Sequence, residues 1–200
     1  LDKDGLIASG TDDTQNTWMD AKYNNIAVTP RNGKAVEINA MWYNANMIMA
    51  NLTMKMGDLL RIKKYKELAK KCKASFEEKF YNPKTKCLYD VLGDGKIRPN
   101  QLFALSLTYP VINPNSEIAK NMINIVEKKL LNNYGLKTLA KGEEKYIEVY
   151  EGDPCHRDTS YHQGITWPWL LGLYYNSLKN IEKEEKDKEI KAQTSQKIRS

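Results

Sequence analysis

Ten consecutive residues, Tyr161-His162-Gln163-Gly164-Ile165-Thr166-Trp167-Pro168-Trp169-Leu170, bring two indoles, an imidazole, a carboxamide and a helix-opening proline together. Two upstream runs have the same character, Thr17-Trp18-Met19-Asp20-Ala21 and Ile97-Arg98-Pro99-Asn100-Gln101. Each sets an aromatic or backbone-stiffening residue beside polar groups that can hydrogen-bond hydroxyls, which points to a carbohydrate ligand before other substrate classes. The carboxylates in aromatic surroundings are Asp20, Glu37, Glu148, Glu151, Asp153 and Asp158. An aspartate held against Trp18 and Met19 has its charged form disfavoured, as a general acid at neutral pH requires. Capping a turn is its plainer role, and Asp158 could equally pair with its neighbour Arg157. Hydrolysis of a glycoside with inversion needs two such groups roughly 6.5–9.5 Å apart, with room for a water. Asp20 and the 153–158 segment lie far apart in the chain, so a closed ring of helices would be needed to bring them together. For His162, and for Trp18, Trp42, Trp167 and Trp169, structural packing explains the residue as well as ligand contact does.

Other chemistries lack their signatures. There is no phosphate-cradling glycine loop ending in Lys-Ser/Thr, no Gly-x-Ser-x-Gly, no Cys-x-x-Cys and no His-Glu-x-x-His. Only His156 and His162 are available to a metal, and a histidine-rich site would have to recruit carboxylates from far apart in the chain. The three cysteines, Cys72, Cys87 and Cys155, have no metal-ligand spacing, and their odd number argues against a disulfide framework, so a cytoplasmic location is expected. The net charge of +6 comes from 31 basic residues interleaved with 25 acidic ones. The densest basic run, Arg61 to Lys73, carries Tyr65, Leu68, Ala69, Cys72 and Phe76 at helical spacing, which reads as a solvated helix face and not as a nucleic-acid stripe. No apolar run is long enough to suggest a membrane span.

The elements that must hold these residues are mainly helical. Ile38, Met41, Trp42, Ala45, Ile48, Met49, Leu52, Met56 and Leu59 recur at three and four, predicting a helix over Glu37 to Leu60. A second is expected from the Gly57-Asp58 region to Phe80, where Asn82-Pro83 stops it. Cys87 to Val91 is β-like, and Gly93-Asp94-Gly95 could turn the chain back toward Ile97 as a small hairpin. Further helices are expected over Asn100 to Tyr109, Ser116 to Leu131 and Pro168 to Ile181, with a long loop over Asn132 to Trp167. Residues 182–200 read as a charged helical extension fraying into a disordered tail.

Several long motifs carry a family resemblance. Thr14-Gln15, Thr17 to Ala21, Thr29-Pro30-Arg31-x-Gly33-Lys34-Ala35-Val36-Glu37-Ile38-Asn39-Ala40-x-Trp42-Tyr43-Asn44, Ile97 to Gln101 and Tyr161-His162-Gln163-Gly164-x-x-Trp167-Pro168-Trp169 are collinear over about Asp4 to Tyr175. They resemble the C-terminal amylo-α-1,6-glucosidase domain of glycogen debranching enzymes, in its shorter bacterial and archaeal form. The resemblance implies an all-α (α/α)6 barrel of six-hairpin glycosidase type. Residues 1–181 would be its C-terminal half, partnered by a missing N-terminal part. It also implies hydrolysis of α-1,6-linked glucosyl stubs on an α-glucan such as glycogen or limit dextrin, with inversion and with neither a metal nor an organic cofactor. Asp20 matches the position of the general acid. Eukaryotic relatives keep a glutamate where Thr166 stands here; threonine cannot deprotonate water, which leaves Asp158 and Glu37, then Asp153, as candidates for the base. Trp18, Trp42, Trp167 and Trp169 would offer stacking faces, and Arg31, Arg98, Asn100, Gln101, His162 and Gln163, with Asp153, would meet hydroxyls. A six-hairpin glycosidase of different linkage specificity, or a truncated glucan-binding or assembly module without hydrolysis, are the alternatives.

Overall fold

In the computed structural model, which describes residues 1–199 and the side chains of 1–189, six α-helices occur among the described residues. They are α1 (Val36–Lys55), α2 (Leu59–Lys79), α3 (Phe103–Ser106), α4 (Glu117–Lys129), α5 (Pro154–Ser160) and α6 (Leu170–Arg199). Short antiparallel ribbons decorate them: β1 (Lys22–Tyr23) with β2 (Ile26–Ala27), β3 (Tyr81–Asn82) with β4 (Cys87–Leu88), and β5 (Leu131–Asn132), β6 (Gly135–Lys137) and β7 (Thr166–Trp167) in that order. None of the helices is long and apolar enough to cross a membrane.

The helical pattern holds, and its boundaries move for local reasons. Helix α1 stops at Lys55, short of Leu60, because Gly57 takes φ +73 and Asp58 turns to cap α2, its side chain accepting the Arg61 N–H. The hairpin pairs Cys87–Leu88 upstream with Tyr81–Asn82, not downstream with Ile97. Asn82 makes this turn: its side chain accepts the Lys84 N–H and its carbonyl accepts the Lys86 N–H. The glycine turn after it closes only a bridge from Val91 to Asp94. The helix expected over Asn100 to Tyr109 is a 3₁₀ turn, Pro99–Leu102, followed by four residues of α3. The expected long loop contains β5, β6, α5 and β7, with Leu136 opposite Trp167 in the sheet. Helix α6 passes Ile181 without a break, and residues 182–189 are exposed; Ser200 lies outside the described residues.

Packing follows a simple order. Helix α1 lies along α2, α3 fits between α1 and α6, and α4 touches β4, β5 and the 3₁₀ turn. The core between them includes Leu6, Val36, Tyr43, Phe76, Phe80, Leu102, Leu105, Met122, Val126, Leu136 and Leu170, with the Phe76 and Phe80 rings stacked at 4.3 Å. Each such side chain contributes about 1.5–3 kcal/mol by leaving water. Helix α1 buries polar Glu37, Asn39, Asn46 and Thr53 among its apolar contacts. It buries Val36, Ala40, Tyr43 and Ala50 but leaves Met41, Ile48, Met49 and Leu52 exposed along another side. The segments that lead into α1, α3 and α6 converge at the N-terminal ends of those helices, and there the three polar and aromatic runs meet.

Candidate active site

The convergence is held by a buried network of charge. Arg31, from the run into α1, forms a two-pronged ion pair with Glu37 in the first turn of that helix. Its Nε and Nη2 also donate to Asp90, at 2.6 and 3.0 Å. Asp90 Oδ1 accepts the Asn100 Nδ2 at 2.8 Å, and Asp90 Oδ2 lies 3.6 Å from Arg98 Nε. Arg98 in turn donates Nη1 to the carbonyls of Thr138 and His162, at 3.0 and 2.7 Å, and Nη2 to Gln163 Oε1 at 2.8 Å. Both guanidiniums and both carboxylates are almost fully buried. Such a pair of ion pairs is tolerated in a core only when every charge is met by an opposite one. Burial works against the Arg31 charge, but Asp90 and Glu37 outweigh it and hold the guanidinium more firmly protonated than usual. For Arg98 burial wins: its affinity for a proton drops despite Asp90.

Around this network stands an aromatic wall. The Trp18 indole meets Trp169, His162 and Trp167 edge to face, with centroids 4.9, 5.2 and 6.5 Å apart. Tyr161 meets His162 and Trp167 at 4.9 Å, and Trp167 donates its indole N–H to the Tyr161 carbonyl. Trp42 is elsewhere, on α1 against the core, with its indole N–H buried and unpartnered. Gly164 takes φ +145 under Ile147, where a Cβ would overlap the Ile147 carbonyl. That close approach lets the Ile147 N–H reach the Gln163 carbonyl at 2.7 Å.

His162 joins wall and network. Its Nδ1 lies 3.4 Å from the backbone nitrogen of Ala21. A backbone N–H can only donate, so Nδ1 carries the lone pair and the ring proton sits on Nε2. Burial, with Arg98 and Arg31 adding to it against the opposing pull of Asp20, pushes the His162 pKa down to about 4. The ring is therefore neutral at pH 7 and presents a hydrogen-bond donor.

The predicted carboxylates fall in three settings. Asp20 is exposed, not held against apolar surface, and among the described residues its carboxylate has no hydrogen bond or ion pair. Glu37 is buried with both oxygens taken by Arg31. Asp158 is half-buried on α5, which packs against β1 just after Asp20. It makes no ion pair with Arg157 among the described residues. Asp153 is exposed and caps α5, its carboxyl held below the usual range mainly by the His156 N–H and then by the His156 ring. Glu148 pairs with Lys137 at 2.9 Å. Thr166 accepts a hydrogen bond from Asn132 at 2.7 Å.

The predicted hydroxyl-binding residues are likewise sorted by burial. Asn100 and Gln101 are spent inside: Asn100 between Trp18 and Asp90, and Gln101 on the Arg98 carbonyl and the Leu88 N–H. Arg31, Arg98 and Gln163 line an open cleft of about 630 Å³ together with Thr29, Asp94 and Lys96. This cleft contains neither Asp20 nor a tryptophan. Sequence reading missed Asp90, the centre of the network, because it stands in a short β-like run with no motif around it. Its spacing of eight residues before Arg98 gives no local sign that it binds both arginines.

A family model described as amylo-alpha-1,6-glucosidase matches residues 1–199. Among curated proteins, the chain is 26% identical over 218 residues to a glycogen debranching enzyme of Saccharomyces cerevisiae; the match covers 85% of this chain and 14% of the yeast protein's length.

Proposed function

Because the chain belongs to the amylo-α-1,6-glucosidase family, we propose that it is part of a glycoside hydrolase domain that removes α-1,6-linked glucosyl stubs from an α-glucan such as glycogen, with inversion. Asp20 is the general acid. The observation that carries this reading is its exposed, unpaired carboxylate beside the wall of Trp18, His162 and Trp169, where a sugar can stack and a leaving oxygen can be protonated. His162, neutral and buried, accepts the Ala21 N–H next to Asp20 and backs the Trp18 indole edge to face, and Arg31, Arg98 and Gln163 form part of the lining of a separate polar cleft. Asp158 is the preferred base. It lies on the helix packed beside the Asp20 segment, whereas the oxygens of Glu37 are occupied by Arg31.

The opposite wall of the site comes from helices outside this chain. In favour of this stands the apolar side of α1, with Leu52 48% exposed and Met41 38%, and at the far end of the helical row Tyr175 of α6, 65% exposed. Faces of this kind are partner surfaces in a stable protein. An (α/α)6 barrel in which the three helix N-termini α1, α3 and α6 line one half of the funnel satisfies both edges. The 200-residue chain alone then lacks half its sugar contacts and turns over little or no branched dextrin. In the full-length polypeptide, Asp20→Asn abolishes glucose release from a limit dextrin while glucan binding persists. Retention of full activity by that variant removes Asp20 from the acid role.

A further inference from the structure

We infer that Asn100, held in place by Asp90, is a positioning residue that acts on the Trp18-Met19-Asp20 segment; this rests on the reading of Asp20 given above. The chemistry of the groups forces the direction of the relay. An indole N–H can only donate, so the Asn100 carbonyl must face Trp18, which it meets at 2.8 Å. The amide nitrogen then faces away, and it donates to Asp90 Oδ1 at 2.8 Å. Asp90 in its place is clamped by Arg31 through three contacts of 2.6 to 3.1 Å, one of them to its own backbone carbonyl. Asn100 is fully buried and Asp90 nearly so, so no water competes for these bonds.

The consequence lies at Trp18. Its segment is non-helical: Met19 is buried beneath it, Gln15 Nε2 donates to the Asp20 carbonyl at 2.5 Å, the Val28 N–H donates to the Ala21 carbonyl at 3.0 Å, and the Ala21 N–H reaches His162 over a long 3.4 Å. The Nε1 bond fixes the indole plane at the edge-to-face angles of 84° to Trp169 and 81° to His162. Two residues further on, Asp20 projects into solvent without a side-chain partner to orient it. Its direction follows from the backbone that carries it, held on the far side by Gln15 and Val28 and on the near side by the Trp18 anchor. Asn100 serves this anchor and has no free group for a sugar.

A double-mutant cycle in the full-length polypeptide tests the relay. Trp18→Phe removes the donor and keeps an aromatic ring; Asn100→Ala removes the acceptor. Each lowers kcat for glucose release about ten- to hundredfold, as misplacing a catalytic group by about 1 Å does, with KM changed less than threefold. The double variant is no worse than the poorer single variant by more than threefold, because both break the same bond. Multiplicative losses overturn the relay, and so does a KM rise at constant kcat for Asn100→Ala, which would place that amide on the sugar. Thermal unfolding of the same four proteins reads the link without substrate, and the two falls in Tm are less than additive. A wild-type polypeptide that releases no glucose yet shows this sub-additivity refutes the proposed reaction and supports the link, whereas additive Tm losses in an active enzyme refute the link alone.

Discussion

Acid should weaken this protein through one imidazole. An unfolded histidine takes up its proton near pH 6.5, whereas His162 in the fold resists until about pH 4. Between these values the unfolded state binds more protons, so stability falls as pH falls, and it is regained as pH rises above 6.5. At about 1.4 kcal/mol for each tenfold change in proton affinity, the gap is worth about 3 kcal/mol at pH 4. That is a sizeable part of a domain stability of about 5–15 kcal/mol. The cause is geometric: the ring is 1% exposed, its Nδ1 faces a backbone N–H, and two guanidiniums stand nearby. His162→Asn isolates the effect, since the asparagine oxygen can still accept the Ala21 N–H but does not titrate. Urea unfolding of both proteins at steps from pH 7 to 4 is the assay. Asp4, whose carboxyl Lys34 and Lys79 hold below its usual range against the effect of burial, loses its contribution only below about pH 3.8 and stays outside the window. The wild type should lose about 3 kcal/mol more than the variant over this range. Parallel curves for the two proteins, or a His162 ring resonance titrating near pH 6.5, refute the reasoning.

Two other substitutions probe the network and the edge of the fold. Glu37→Gln leaves the buried Arg31 short of one carboxylate and should cost about 3–5 kcal/mol, read as a lower Tm; loss of activity at unchanged Tm would instead make Glu37 the base. Leu52→Lys, on the uncovered side of α1, should reduce self-association of the 200-residue chain in sedimentation while changing its stability by no more than about 0.5 kcal/mol. The same change in the full-length polypeptide should be destabilising if other helices cover that side, and a neutral outcome there counts against the barrel.

Periodicity was the legible part of the fold. The α1 and α4 stripes repeat at three and four residues, and Asn82-Pro83 ends α2 by its own chemistry, so these helices could be read from neighbours in sequence. The same information misplaced the hairpin. Two glycines at 93 and 95 look like a turn, but Asn82 bonds its own downstream backbone and captures Cys87–Leu88 first. The candidate site was legible as residue types. Trp18, His162, Trp167 and Trp169 do form one aromatic cluster, and Arg31, Arg98 and Gln163 do reach one cleft.

The sequence by itself determined which residues are special: aromatic and amide-rich runs whose length and order match one glucosidase family, and a lone Asp20 among them. Only the tertiary structure decided what each polar group has left to offer. Glu37, Asn100 and Gln101 are matched internally, while Asp20 is free and Asp90, unmarked in sequence, is central. The physical reason is that a hydrogen-bonding group can be spent only once. Whether a carboxylate or an amide meets an arginine from 59 residues away, as Asp90 meets Arg31, or is left facing solvent depends on contacts that no local pattern encodes.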